Sequence, residues 1–156
     1  MTFDDDVRDL YQEVILDHGR KPRHGHRLAA YDVTAKGDNP MCGDRVEVFV
    51  KLDADGKIAE TGFEARGCAI SVASADLMAE TVRGRGKADT RALFETFREM
   101  VRTGKCPEHD AGLDESLERL EPFAGVHEYP SRVKCATLPW HALVAALDGT
   151  REASSE

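Results

Sequence analysis

Apolar residues recur at Val7, Leu10, Tyr11, Val14 and Ile15, one face of a helical repeat, and Thr2 with Asp5 fits a capping box. The pattern predicts an amphipathic helix over about residues 4–18, ended by Gly19. A basic loop, GRKPRHGHRL, follows, and then a short strand around Tyr31 to Ala35. From Arg45 to Leu52 the period changes to two: Val46, Val48, Val50 and Leu52 alternate with Arg45, Glu47, Phe49 and Lys51, a strand with unlike faces. Asp53-Ala-Asp-Gly56 is a tight turn, and Ile58 to Arg66 is its returning partner in an antiparallel hairpin.

Beyond Gly67 the period is helical again. The segment from Ile70 to about Val82 stops at Gly84 and Gly86, and Asp89 caps a helix whose Leu93, Phe94, Phe97, Met100 and Val101 share one face. A short helix covers Leu113 to Leu120. Pro130 opens a last one, with Val133, Ala136, Trp140, Leu143, Val144 and Leu147 in step. Pro139 lies inside it and cannot donate to the Cys135 carbonyl, so a continuous helix should bend there. This succession is α+β: a small antiparallel three-stranded sheet with helices packed on one face.

Composition narrows the picture. The 156 residues suit one domain, read as residues 1–150, with 151–156 (REASSE) as a flexible tail. Lys and Arg number 21 against 29 Asp and Glu, giving a net charge of −8, which argues against a nucleic-acid or anionic-membrane binder. The basic loop has no interleaved aromatics for base stacking; it is either a solvated loop or a docking edge for an acidic partner. Its His24 and His26 lack the further ligands a metal site needs. The N-terminus carries three consecutive aspartates where a signal peptide needs a basic start, and no apolar run is long enough to span a membrane, so a cytoplasmic location is expected.

In a reducing compartment the four cysteines should be thiols rather than disulfides. Cys106, in a loop before Pro107 with His109 near it, shows no sign of a lowered pKa. The other three lie at junctions: Cys42 from loop to strand, Cys68 from strand to helix, Cys135 at the start of the final helix. Helix N-termini favour thiolate over thiol, and with Asp44 three thiolates and a carboxylate satisfy four-coordinate zinc. Intervals of 26 and 67 residues match no common zinc-finger spacing, so burial as small apolar residues stays open beside the metal reading.

Four blocks, LYQEVILDHGRKPRH, GDNPMCGDRVEV, FEARGCAISVASADLM and YPSRVKCATLPW, together resemble the SufU family of iron–sulfur cluster biogenesis proteins, in that family's order from residue 10 to 140. The resemblance implies the α+β fold of the IscU scaffolds, and zinc bound by Cys42, Asp44, Cys68 and Cys135. It also implies a sulfurtransferase role: Cys42 accepts persulfide sulfur from a SufS-type cysteine desulfurase, a pyridoxal-phosphate enzyme, and passes it to a downstream scaffold or other acceptor. A histidine of that partner is expected to free Cys42 for the attack. Lys134, where IscU-type scaffolds carry a histidine, and the longer segment between Cys68 and Cys135 favour SufU over IscU. EYPSRVK resembles the scaffolds' chaperone-binding motif only in part.

Two alternatives remain at this point: a scaffold assembling a transient [2Fe–2S] cluster on the same ligands, and a structural zinc domain that only binds a partner. Arg45, Arg66, Arg132 and Lys134 are candidates to offset the negative charge of such a centre.

Overall fold

The computed structural model describes residues 3–41 and 43–154. A first helix, α1 (Phe3–Arg20), leads through the basic loop to β1 (Val33–Asn39), β2 (Asp44–Leu52) and β3 (Ile58–Arg66). Then come α2 (Ala69–Thr81), α3 (Lys87–Thr103), α4 (Asp114–Leu120) and α5 (Pro130–Leu147), with 3-10 turns at Ala111–Leu113 and Glu121–Glu128, and last β4 (Glu152–Ser154).

The sheet has four strands in the order β3-β2-β1-β4, not three. β1 to β3 are antiparallel, as the alternation requires, but β4 runs parallel to β1, pairing Lys36 with Glu152 and Asp38 with Ser154. Glu152-Ala-Ser has no alternating apolar pattern, so its pairing is a matter of backbone bonds, beginning with Lys36 N–H to the Arg151 carbonyl at 2.8 Å. The sequence places β1 at Tyr31 to Ala35; the ladder instead runs to Asn39, which lies directly opposite Asp44. Only Pro40 to Gly43 remain to turn the chain between them.

One face of the sheet, including Val46, Val48, Val50 and Phe63, packs against the helices around Trp140, Phe97 and Leu143. The other face is partly covered by the basic loop: Arg27 lies over the Phe49 ring at 5.0 Å and Tyr31 packs on it at 5.1 Å. The loop also shields the free edge of β3, where Phe63 N–H bonds the His24 carbonyl. A fully buried carboxylate, Asp76 of α2, anchors it by accepting from Arg23 and His24 N–H at 2.8 Å and from His18 at 2.5 Å.

α5 is one continuous helix across Pro139. Near the proline, Ser74 of α2 donates to the Ala136 carbonyl at 2.5 Å and accepts from the Trp140 indole N–H at 3.2 Å. This buried chain of polar groups fixes α2 against α5, the two helices that carry Cys68 and Cys135. No helix among the described residues is long and apolar enough to cross a membrane.

Candidate metal centre

The sheet ends in a row of residues from adjacent strands, all on the helix-facing side. Asn39 closes β1, Asp44 opens β2, and Gly67 with Cys68 follows β3. Cys68 caps α2, and Cys135 stands in the second turn of α5, fully buried. One ligand atom each from Asp44, Cys68 and Cys135 lie within 4.8 Å of one another. Residues 24 and 91 positions from Asp44 are thus drawn to one point by strand pairing and by α2–α5 packing.

Asp44 is 1% exposed, yet its two oxygens are used unequally. Oδ1 accepts the Cys68 N–H at 3.1 Å, whereas Oδ2 is buried with no hydrogen-bond partner. An orphaned carboxylate oxygen is costly in a protein interior unless a cation takes it. Beside two sulfurs, it is a donor set that suits a divalent ion such as zinc.

The two site sulfurs lie within 4.8 Å of each other and shift each other's pKa in opposite directions. Cys135 donates to Cys68, and the Ser71 and Ile70 amides at the start of α2 also point at that sulfur, lowering Cys68 to about 6 against burial and the Asp44 charge. Cys135 is pushed up, first by its bond to Cys68, then by burial and by Asp44. A bound cation would displace that proton. Of the four candidate cations, Arg132 reaches the sulfurs: bonding to Cys135 and the charge on Cys68 hold its guanidinium above its ordinary pKa. Arg45 and Arg66 are paired across β2 and β3. They line a concavity of about 900 Å³ on the opposite face of the sheet from Asp44.

Cys42, the expected fourth ligand and sulfur acceptor, lies outside the described residues. Among the described residues, His24 and His26 join no cluster of metal ligands. Cys106 is exposed, and burial of its sulfur with the Glu121 and Asp114 charges raises its thiol pKa, opposite to what a nucleophile needs. The sequence reading missed Asp76, whose signal is an acid flanked by the apolar residues of α2, and Gly67, read only as a strand breaker. A Cβ on Gly67 would overlap the Asp44 carboxylate, so glycine is what lets the ligand sit there.

The family described as "NifU-like N terminal domain" matches residues 10–136. The chain belongs to this NifU-like family. The zinc-dependent sulfurtransferase SufU of Bacillus subtilis is 37% identical over 143 residues, covering 92% of both chains. The iron–sulfur cluster assembly scaffold protein IscU of Streptococcus pyogenes is 37% identical over 141 residues, 90% of this chain and 84% of that one. A crystal structure of a candidate iron–sulfur cluster assembly scaffold for the SUF system from Fervidobacterium islandicum superposes with a TM-score of 0.77 at 33% identity, over 90% of this chain and 98% of that one. The NifU-like chain is therefore an iron–sulfur cluster assembly protein of the SufU and IscU type.

Proposed function

We propose that this protein is a zinc-dependent sulfur-transfer protein of the cytoplasm, taking persulfide sulfur from a SufS-type cysteine desulfurase onto Cys42 and handing it on for cluster assembly. The observation that carries the reading is the buried group of Asp44, Cys68 and Cys135, with one Asp44 oxygen left without a partner. Zinc bound there would keep its sulfur ligands ionised.

The work then falls to the chain. Cys68 and Cys135 are held by regular structure and Asp44 by its bond to the Cys68 amide, so these three stay fixed. Cys42 falls in the sequence between β1 and β2, and its thiolate attacks the outer sulfur of the desulfurase persulfide. The new S–S bond forms on Cys42, the old one breaks, and the desulfurase cysteine leaves as thiolate. The Arg132 guanidinium offsets the negative charge gathered at the sulfurs.

The test is desulfurase turnover with and without the protein. Cys42→Ala should abolish stimulation, and wild-type turnover with that variant would remove Cys42 from the role. The scaffold reading uses the same donors and draws on the identity to IscU; elemental analysis and anaerobic reconstitution separate it, since a scaffold returns with iron, sulfide and a visible absorption spectrum. Lys134 in place of a histidine favours transfer.

A further inference from the structure

The outer face of the sheet, away from the helices, carries two rows of charge at the end where β2 begins. Strand register sets them. Asp38, Arg45 and Arg66 lie side by side across β1, β2 and β3, and Lys36, Glu47 and Glu64 make the next row. All six line the one concavity of about 900 Å³. A row further on the open face ends: Arg27 and Tyr31 lie on Phe49, and a Cβ on its cross-strand neighbour Gly62 would meet Leu28 at 3.0 Å.

Within one chain these charges are poorly matched. Arg45 stands directly opposite Arg66, and Glu47 opposite Glu64, and like charges so placed destabilise a sheet. Asp38 and Arg45 make a loose ion pair at 3.9 Å, and the Thr34 hydroxyl reaches Glu47 Oε2 at 3.4 Å. Among the described residues, the side chains of Glu64 and Arg66 have no hydrogen bond or ion pair, and Lys36 pairs with neither Glu47 nor Glu152, its neighbours on β2 and β4.

The pattern is complementary to itself. On each of the three strands the sign reverses between successive outward positions: Asp38 and Lys36, Arg45 and Glu47, Arg66 and Glu64. A two-fold axis running across the strands between the rows sets each cation over the anion of the same strand in the other copy. We infer that this face is a contact between two copies of the chain, each giving the other the opposite charges that β2 and β3 lack between themselves. Three cations and three anions cancel here in a chain of net charge −8, so copies meet without the repulsion that acts over the rest of the surface. The same axis carries the loop-covered half of each copy beyond the strand ends of the other, so the loop leaves the contact open. Asp44 and its two cysteines are on the helix-facing side, which the contact does not use.

Sedimentation velocity of the full zinc-loaded chain tests this, with Arg66→Glu and Glu64→Arg as variants. Each substitution relieves one like-charge pair across β2 and β3, so each variant should unfold in urea no earlier than wild type. Each also sets like charges together at both β3 contacts, so its dimer should be about ten-fold weaker or more. Mixed in equal amounts, the two variants are complementary again, and the mixture should dimerise within about three-fold of wild type. The assignment is overturned by a wild type that stays monomeric up to about 1 mM at low salt, by variants that dimerise as wild type does, or by a mixture that fails to recover. A monomeric wild type whose stimulation of the desulfurase weakens in both variants would give the face to the desulfurase instead of a second copy.

Discussion

Gly67→Ala puts the geometry of the centre under direct strain. The added Cβ would fall on the Asp44 carboxylate, 2.9 Å from its Cγ and 3.2 Å from its Cβ. Without metal the carboxylate can swing aside, losing its bond from the Cys68 N–H, a charge-assisted contact worth about 1.5–3 kcal/mol. When metal binds, Asp44 must return to its place and meet the methyl, at a steric cost of about 1–3 kcal/mol. At about 1.4 kcal/mol per factor of ten, zinc affinity should fall about 5- to 150-fold. Urea unfolding of the metal-free protein measures the first loss, and competition against a chromophoric zinc chelator measures the second. A variant matching wild type in both would show that Asp44 does not occupy the ligand position, and with it the three-donor site would fail.

Ser74→Ala strips the Ala136 carbonyl and the Trp140 indole of a shared partner, and should cost about 2–4 kcal/mol in urea unfolding; a loss under about 0.5 kcal/mol would mean this bridge does not hold α2 to α5. His141, half-buried edge-on to Phe94, has its pKa lowered by burial and then by Arg98. The unfolded chain therefore binds a proton below about pH 6.5 that the folded chain refuses, so stability should decline from about pH 6.5 downward and be flat above it. His141→Gln should flatten thermal melts across that window, and an unchanged acid slope would contradict the assignment. In metal-free protein at neutral pH, iodoacetamide should modify Cys68, lowered to about 6, before the more exposed but raised Cys106. The reverse order, read by peptide mass mapping, would refute the lowered pKa of Cys68.

Much of this was legible in the sequence for identifiable reasons. The hairpin declares itself through the switch to period two around Asp53-Ala-Asp-Gly56, and β2 and β3 fall within a residue of the expected bounds. Asp44, Cys68 and Cys135 are each at a junction, and the pairing of β2 with β3 and the packing of α2 on α5 bring those junctions together. What periodicity misses is whatever depends on backbone or on one polar atom. β4 pairs through main-chain groups, so Glu152-Ala-Ser gives no side-chain signal. Asp76 interrupts an apolar helix to anchor a loop more than 50 residues earlier, and Gly67 reads locally as a strand breaker. Their roles depend on what sits opposite, which only the assembled sheet supplies.

The central claim concerns where sulfur goes. The direct measurement incubates zinc-loaded protein with a SufS-type desulfurase and cysteine, then maps persulfide by mass spectrometry of peptides kept unreduced. The account predicts one added sulfur atom on the peptide bearing Cys42, and none on those bearing Cys68, Cys135 or Cys106. Sulfur on any of those three, with Cys42 unmodified, would contradict it.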